Sequence, residues 1–285
     1  MNVADSTLFK DYARPILQPE ASGKAQGRSS PSIMSSVLQC LVNPPKLEVS
    51  RIKLTYVSED TFTMAIESRI TGTGPISSTI SPMVLDLTFN DFAFGKLALL
   101  EVRTRFLGTR VVVQEQNIAI TDATTFRAFV RSIMVDNDTS FQLDNGTCTV
   151  RALGVTAHCN YTLDVPVQAM RGPRATLRML SRSNEGDDGI TITVRVRNPS
   201  PVELDHGVCA FELRNDKGEC MAELSGQLKI VRGQFDLNLH GTTRTGVAPS
   251  DKVRLVGVGE GASSWCNDFD AILDLKAEFA GLFRA

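Results

Sequence analysis

Thr61-Phe62-Thr63-Met64-Ala65-Ile66-Glu67-Ser68-Arg69-Ile70 alternates side chains between two chemistries without a break, and its reading decides the fold. Successive side chains of a strand point to opposite faces. Phe62, Met64, Ile66, Ser68 and Ile70 therefore share one face, and Thr61, Thr63, Ala65, Glu67 and Arg69 the other, the pattern of a half-buried strand that stops at Gly72, Gly74 and Pro75. Working outward, the same period returns at Leu85, Leu87 and Phe89, in the alternation of Val155 to Val165, at Ile190-x-Ile192-x-Val194-x-Val196 and at Cys209-x-Phe211-x-Leu213. On the N-terminal side, Leu47 and Val49 give way to Ile52, Leu54 and Tyr56, a change of face of the kind a bulge produces. Ser140 to Leu143 and Cys148 to Leu153 read as two strands joined by the turn Asp144-Asn145-Gly146.

One segment departs from period two. Phe126, Phe129, Val130 and Ile133 fall at helical spacing behind Asp122, a residue suited to an N-cap, and predict a helix over about 122–135. The terminal stretch Phe269, Ile272, Leu273, Leu275, Phe279 and Leu282 mixes both periods and fixes neither.

These elements group into a flexible arm over 1–45, rich in proline, glycine and serine, a first β domain over 46–170 that includes the helix, and a second over 171–285. Met170-Arg171-Gly172-Pro173-Arg174 reads as the hinge between them, and Ser183 to Gly189 as a turn-rich acidic insertion. The stretch Phe62 to Phe89 also runs parallel to Ile190 to Leu213: strand, proline-bearing turn, strand, with Pro75 matching Pro201 and Leu87 matching Phe211. The expected architecture is a duplicated domain.

The chain has 285 residues, 42% hydrophobic and 22% charged, enough for one or two cored domains. Lys and Arg total 30 against 32 Asp and Glu, so a net charge of -2 offers no attraction to nucleic acid or an anionic membrane. Ser36 to Val42 is too short to span a bilayer, and the first residues carry Asp5, Asp11 and Glu20 where a secretory signal would be apolar. The expectation is an intracellular, cytoplasmic chain with reduced cysteines. Asn-x-Thr sequons at Asn137, Asn145 and Asn160 point instead toward a secreted one.

Residues that could carry chemistry are few. His158 and His240 stand on the polar sides of their strands, while His206 falls in a turn with its role open. Cys40, Cys148, Cys159, Cys209, Cys220 and Cys266 form no C-x-x-C pair, though Cys148 and Cys159 are placed to face each other across a hairpin. Gly257-Val258-Gly259-Glu260-Gly261 lacks the strand-turn-helix setting of a nucleotide loop and reads as a flexible loop. Glu67, Glu101 and Asp86 lie on strand faces, as solvated carboxylates usually do. Trp265, the single tryptophan, either lines an apolar pocket from a loop or plugs the end of the second domain. No residue declares itself catalytic, and no cofactor or metal is expected.

Ile66-Glu67-Ser68 with its Gly-Pro turn, Phe94-Gly95-Lys96-Leu97 leading to Leu100-Glu101-Val102, and Thr125-Phe126-Arg127-Ala128-Phe129 carry a resemblance over about 46–178. That stretch resembles a fungal domain of unknown function from membrane-anchored, vacuole-associated proteins. Val196-Arg197-Asn198-Pro199-Ser200-Pro201-Val202 resembles the late-embryogenesis-abundant sandwich domain of water-stress proteins, which has an immunoglobulin-like β-sandwich fold. The fold so implied is mostly β, two tandem immunoglobulin-like or late-embryogenesis-abundant-like sandwiches with one short helix in the first.

The transmembrane helix that precedes such fungal domains is not found, and the expected role moves to soluble metabolism. The expectation is a cofactor-free binding protein or cyclase of Diels-Alder type acting on an apolar small molecule in fungal secondary metabolism. The alternative is a non-catalytic sandwich that binds a protein or lipid surface. The oligomeric state is left open.

Overall fold

A computed structural model describes residues 46–71, 76–105, 108–183, 188–259 and 261–275, together with Phe283. The expected arm over 1–45 and the turn at Gly72, Gly74 and Pro75 lie outside these residues. The described chain is mostly β, as the alternation predicts, with one α-helix among the described residues.

The strands are β1 (Lys46–Ser58), β2 (Thr61–Thr71), β3 (Thr79–Ile80), β4 (Met83–Phe89), β5 (Phe92–Leu99), β6 (Val102–Arg103) and β7 (Thr109–Ala119). Helix α1 (Ala123–Val135) follows, then β8 (Asp138–Ala152), β9 (Val155–Gln168), β10 (Arg174–Arg182), β11 (Gly189–Asn198) and β12 (Val202–Arg214). The chain continues with β13 (Cys220–Ile230), β14 (Gly233–Thr243), β15 (Lys252–Val258), a 3-10 segment (Gly261–Asp268) and β16 (Asp270–Asp274). Two compact units are interleaved along the sequence. Unit 1 takes residues up to Ser50, Glu67–Val113 and Ser140–Val165, and unit 2 takes Arg51–Ile66, Gln114–Thr139 and Pro166–Ala285.

Unit 1 contains a sheet ordered β5-β4-β8-β3-β6, with β9 paired to β8. Ile70, Val102 and Val111 pack together there with Leu47, Ile80 and Leu99 against them. Asp144-Asn145-Gly146, expected as a turn, lies inside the continuous strand β8. Asn145 takes φ 57 and bulges the strand without ending it. Its Nδ2 donates to Asp86 Oδ2 at 2.9 Å, and Thr162 Oγ1 donates to Asp144 Oδ1 at 2.6 Å, so local side-chain bonds hold the kink. A Cβ at Gly146 would stand 2.4 Å from a Leu85 methyl, so a larger residue there would require the Leu85 side chain to shift.

The other sheet has the order β10-β11-β14-β13-β12-β1-β2-β7, with β15 pairing β12 and β16 pairing β15. Strands β1 and β12 run parallel, Leu54 registered with Leu204 and Thr55 with Asp205. The turn before β12 makes that contact possible. Asn198 and Ser200 are wholly buried; Asn198 Nδ2 donates to Val202 O at 2.8 Å, Ser200 N to Asn198 Oδ1 at 2.9 Å and Val202 N to Ser200 Oγ at 3.0 Å. With its polar groups satisfied internally, the turn can be buried and offer Pro201 O to Ile52 N at 3.0 Å.

Helix α1 forms where its spacing predicts. Asp122 caps it by accepting from Thr124 N at 2.9 Å and Thr125 N at 3.2 Å, and Thr125 donations hold its carboxyl below the usual range. Phe126, Phe129, Val130 and Ile133 are its buried face. The expected hinge at 170–174 is instead fastened to the end of this helix. Ala169 N, Met170 N, Arg171 N and Gly172 N donate to Asn137, Ile133, Asp136 and Met134 carbonyls, and Ala169 and Met170 are buried. Left-handed φ angles of 63 at Arg171 and 76 at Gly172 shape the clasp, which is why its glycine resembles a hinge in sequence.

In the terminal stretch Asp270–Asp274 form strand β16, with Ala271 and Leu273 buried and Ile272 exposed, while Phe279 and Leu282 lie outside the described residues. Among the described residues no helix is long and apolar enough to cross a membrane.

Candidate functional site

Val202, Leu204 and His206 alternate inward along β12, so His206 continues the buried face of a strand and does not lie in the turn expected for it. A register shift between Asp205 and Val208, with Gly207 at φ 72, bulges the strand just after it. That bulge is the physical source of the turn-like sequence. His206 is 6% exposed, and neither Nδ1 nor Nε2 has a hydrogen-bond partner. Burial drives its pKa down to about 4 against a smaller upward pull from Asp205, so the imidazole is neutral near pH 7, with one N–H donor and one bare nitrogen acceptor.

One aromatic ring, Trp265, lies beside it and joins it to a cluster of rings. Trp265 lies edge-on to His206 with centroids 6.4 Å apart, stands 4.8 Å from Tyr56 and 4.4 Å from Phe126, and Phe126 stacks on Phe62 at 4.5 Å. Each element has a reason to be there: β1 brings Tyr56 through the Leu54–Leu204 register, and the capped helix brings Phe126. An ion pair between Arg131 and Asp268 at 3.7 Å joins α1 to the 3-10 segment that carries Trp265. Burial raises the Asp268 carboxyl, and burial followed by Glu59 and Asp60 raises the Tyr56 phenol.

Trp265 is buried, in a packing role in unit 2 and not on an open loop. Gly257, expected in a flexible loop, is strand residue of β15 pressed against the same segment: a Cβ there would lie 1.9 Å from Cys266 O. Cys266 and Cys209 are buried together: Cys209 Sγ donates to His206 O at 4.0 Å and Cys266 Sγ to Ala210 O at 3.8 Å, and the two thiols shift each other, Cys209 upward and Cys266 downward. Neither the orphaned imidazole nor this thiol pair was singled out by sequence, although the Val202-x-Leu204-x-His206 period already turns His206 inward.

The other candidates do not converge on a site. His158 and His240 are exposed beside Thr149 and Thr191 hydroxyls, at 3.5 and 3.3 Å. Glu67 pairs with Arg110 at 2.5 Å, Glu101 with Arg103 at 3.0 Å and Asp86 with Lys96 at 3.5 Å, surface pairs of small energetic consequence. Cys148 and Cys159 are neighbours in unit 1, and burial raises both thiols. The sequon residues Asn137, Asn145 and Asn160 are exposed. Among the described residues no three His, Cys, Asp or Glu side chains gather in a metal-binding group.

This geometry defines a mostly β protein with an unpartnered neutral imidazole beside an aromatic cluster. Residues 94–213 match the family model described as a protein of unknown function, DUF3712, and so overlap the 46–178 stretch that resembles a domain of unknown function. No curated protein matches the sequence. Solved structures with partial likeness include a red sea bream transglutaminase, at 15% identity and TM-score 0.25 over 82% of this chain and 32% of that one. A β-glucuronidase of glycoside hydrolase family 2 gives 9% identity and TM-score 0.21 over 70% of this chain and 22% of that one. An adhesin from Mobiluncus mulieris gives 8% and 0.19 over 78% and 83%. The chain spans about a third or less of the first two, and likeness at this level carries no argument about activity.

Proposed function

We propose that the chain is a small-molecule-binding protein whose ligand is mostly apolar and carries one hydrogen-bonding group, held by His206 against Trp265 and Tyr56. The observation that carries this reading is the pair of unpartnered ring nitrogens on a buried His206. A buried polar group left without a partner costs about 1–3 kcal/mol, and a ligand that supplies the partner recovers it. A neutral imidazole suits a hydroxyl or carbonyl, and the neighbouring rings suit a hydrocarbon or aromatic body.

Cyclisation of a polyene is the catalytic form of the same reading. The aromatic walls would hold the chain folded near its reacting geometry, and the imidazole N–H would polarise a conjugated carbonyl without a cofactor.

Trp265 is the only tryptophan, so its emission reports on this site directly. Fractions of an organic extract from cells that make the protein are titrated against that emission. A saturable change with wild type, lost in His206→Phe, supports the reading. Emission indifferent to every fraction, or responding equally in both proteins, refutes it.

A further inference from the structure

Cys209 lies on β12 just past the His206 bulge, and Cys266 lies on the 3-10 segment next to Trp265. The two are far apart in sequence, are 1% and 0% exposed, and lie near enough to shift each other's thiol. Both are also anchored: Cys266 Sγ is 3.8 Å from Ala210 O, the carbonyl following Cys209, and Cys209 Sγ is 4.0 Å from His206 O. Strand β15, whose Gly257 pairs with Phe211 of β12, is held to the end of the segment independently of the sulfurs, because Gly257 N donates to Phe269 O at 2.8 Å and Gly257 has no side chain to separate it from Cys266 O.

We propose that Cys209 and Cys266 are a modification site, a thiol pair that a small-molecule disulfide such as glutathione disulfide converts to an intramolecular disulfide, tying the Trp265 segment to β12. The Cys266 thiolate attacks one sulfur of the oxidant, a mixed disulfide forms, and one glutathione thiolate leaves. The Cys209 thiolate then attacks the Cys266 sulfur, and the second glutathione leaves. Two protein thiols are oxidised, one glutathione disulfide is reduced to two glutathione thiols, and the two protein protons pass to the leaving groups. Cys266 acts first because the neighbouring Cys209 shifts its thiol down, while Cys266 and burial push the Cys209 thiol up. Because both sulfurs are buried, exchange proceeds through local opening and is slow. This site stands apart from the small-molecule reading and does not depend on it.

The test exposes the whole chain to glutathione disulfide, caps remaining thiols with N-ethylmaleimide in denaturant, and maps peptides by mass spectrometry without reduction. The expected result is a peptide pair joined through Cys209 and Cys266, with a loss of Trp265 emission that dithiothreitol restores, since a disulfide quenches a neighbouring indole. In Cys266→Ser the joined pair is absent and emission no longer responds to the oxidant. Maleimide on both cysteines, glutathione on each without a link, or a link confined to Cys148 and Cys159 overturns the proposal; each outcome is read on wild type, whatever the folding of the variant.

Discussion

The Trp265 indole stands edge-on to the His206 imidazole, 6.4 Å between centroids and 85° between planes, and covers a ring whose nitrogens bond to nothing. A single residue thus reports on the burial of an imidazole held neutral, and the first prediction follows from that displacement.

His206 has a folded pKa of about 4 against 6.5 for the exposed ring. Above 6.5 both states are neutral and titration contributes no penalty. As pH falls below 6.5 the unfolded chain binds a proton that the folded chain refuses, so stability declines until the folded value is reached, by about 3 kcal/mol in total. Urea unfolding across this range is expected to lose that component in His206→Phe. Equal pH slopes in the two proteins would show that His206 is not buried neutral.

Trp265 bridges Tyr56 and Phe126, on strand β1 and helix α1. Trp265→Ala is expected to destabilise by about 3–5 kcal/mol, as large aromatic truncations in cores do. Trp265→Phe should retain most of this. A loss below about 1 kcal/mol in the alanine variant would place the indole outside the core.

Asn198 satisfies one carbonyl and one amide of its own buried turn. Asn198→Ala leaves Val202 O and Ser200 N without partners in a dry setting and is expected to cost about 3 kcal/mol in chemical denaturation. A near-neutral result would mean that water reaches the turn.

Gly257→Ala places a methyl against the backbone of Cys266, at 1.9 Å from its carbonyl oxygen. Backbone cannot turn aside as a flexible side chain can, so a loss of about 1–3 kcal/mol is expected, with a shift in Trp265 emission as its segment moves. Unchanged emission with unchanged stability would contradict the close approach.

Much of the secondary structure was legible because period two and period 3.6 are local. Phe62 to Ile70 and Asp122 to Ile133 read directly as the strand and capped helix they are. The errors share one cause: glycine, asparagine and proline mark special backbone angles without saying whether the chain turns back. Asn145 bulges a strand, Gly172 closes a clasp on α1, and Gly257 admits a neighbouring backbone. The interleaving of the two units was not legible, since alternation gives a strand its faces and not its neighbours; the parallel pairing of Ile52 with Val202 is a long-range choice. For the site, the inward turn of His206 was present in the Val202-Leu204-His206 period. Its missing partners and the approach of Cys266 to Cys209 depend on packing between distant segments.

Native mass spectrometry of wild type and His206→Phe, each incubated with organic extract of the producing cells, tests the small-molecule reading most directly. A retained adduct of one molecule per chain on wild type and none on His206→Phe is the expected result. No adduct on either protein, or the same adduct on both, would contradict it.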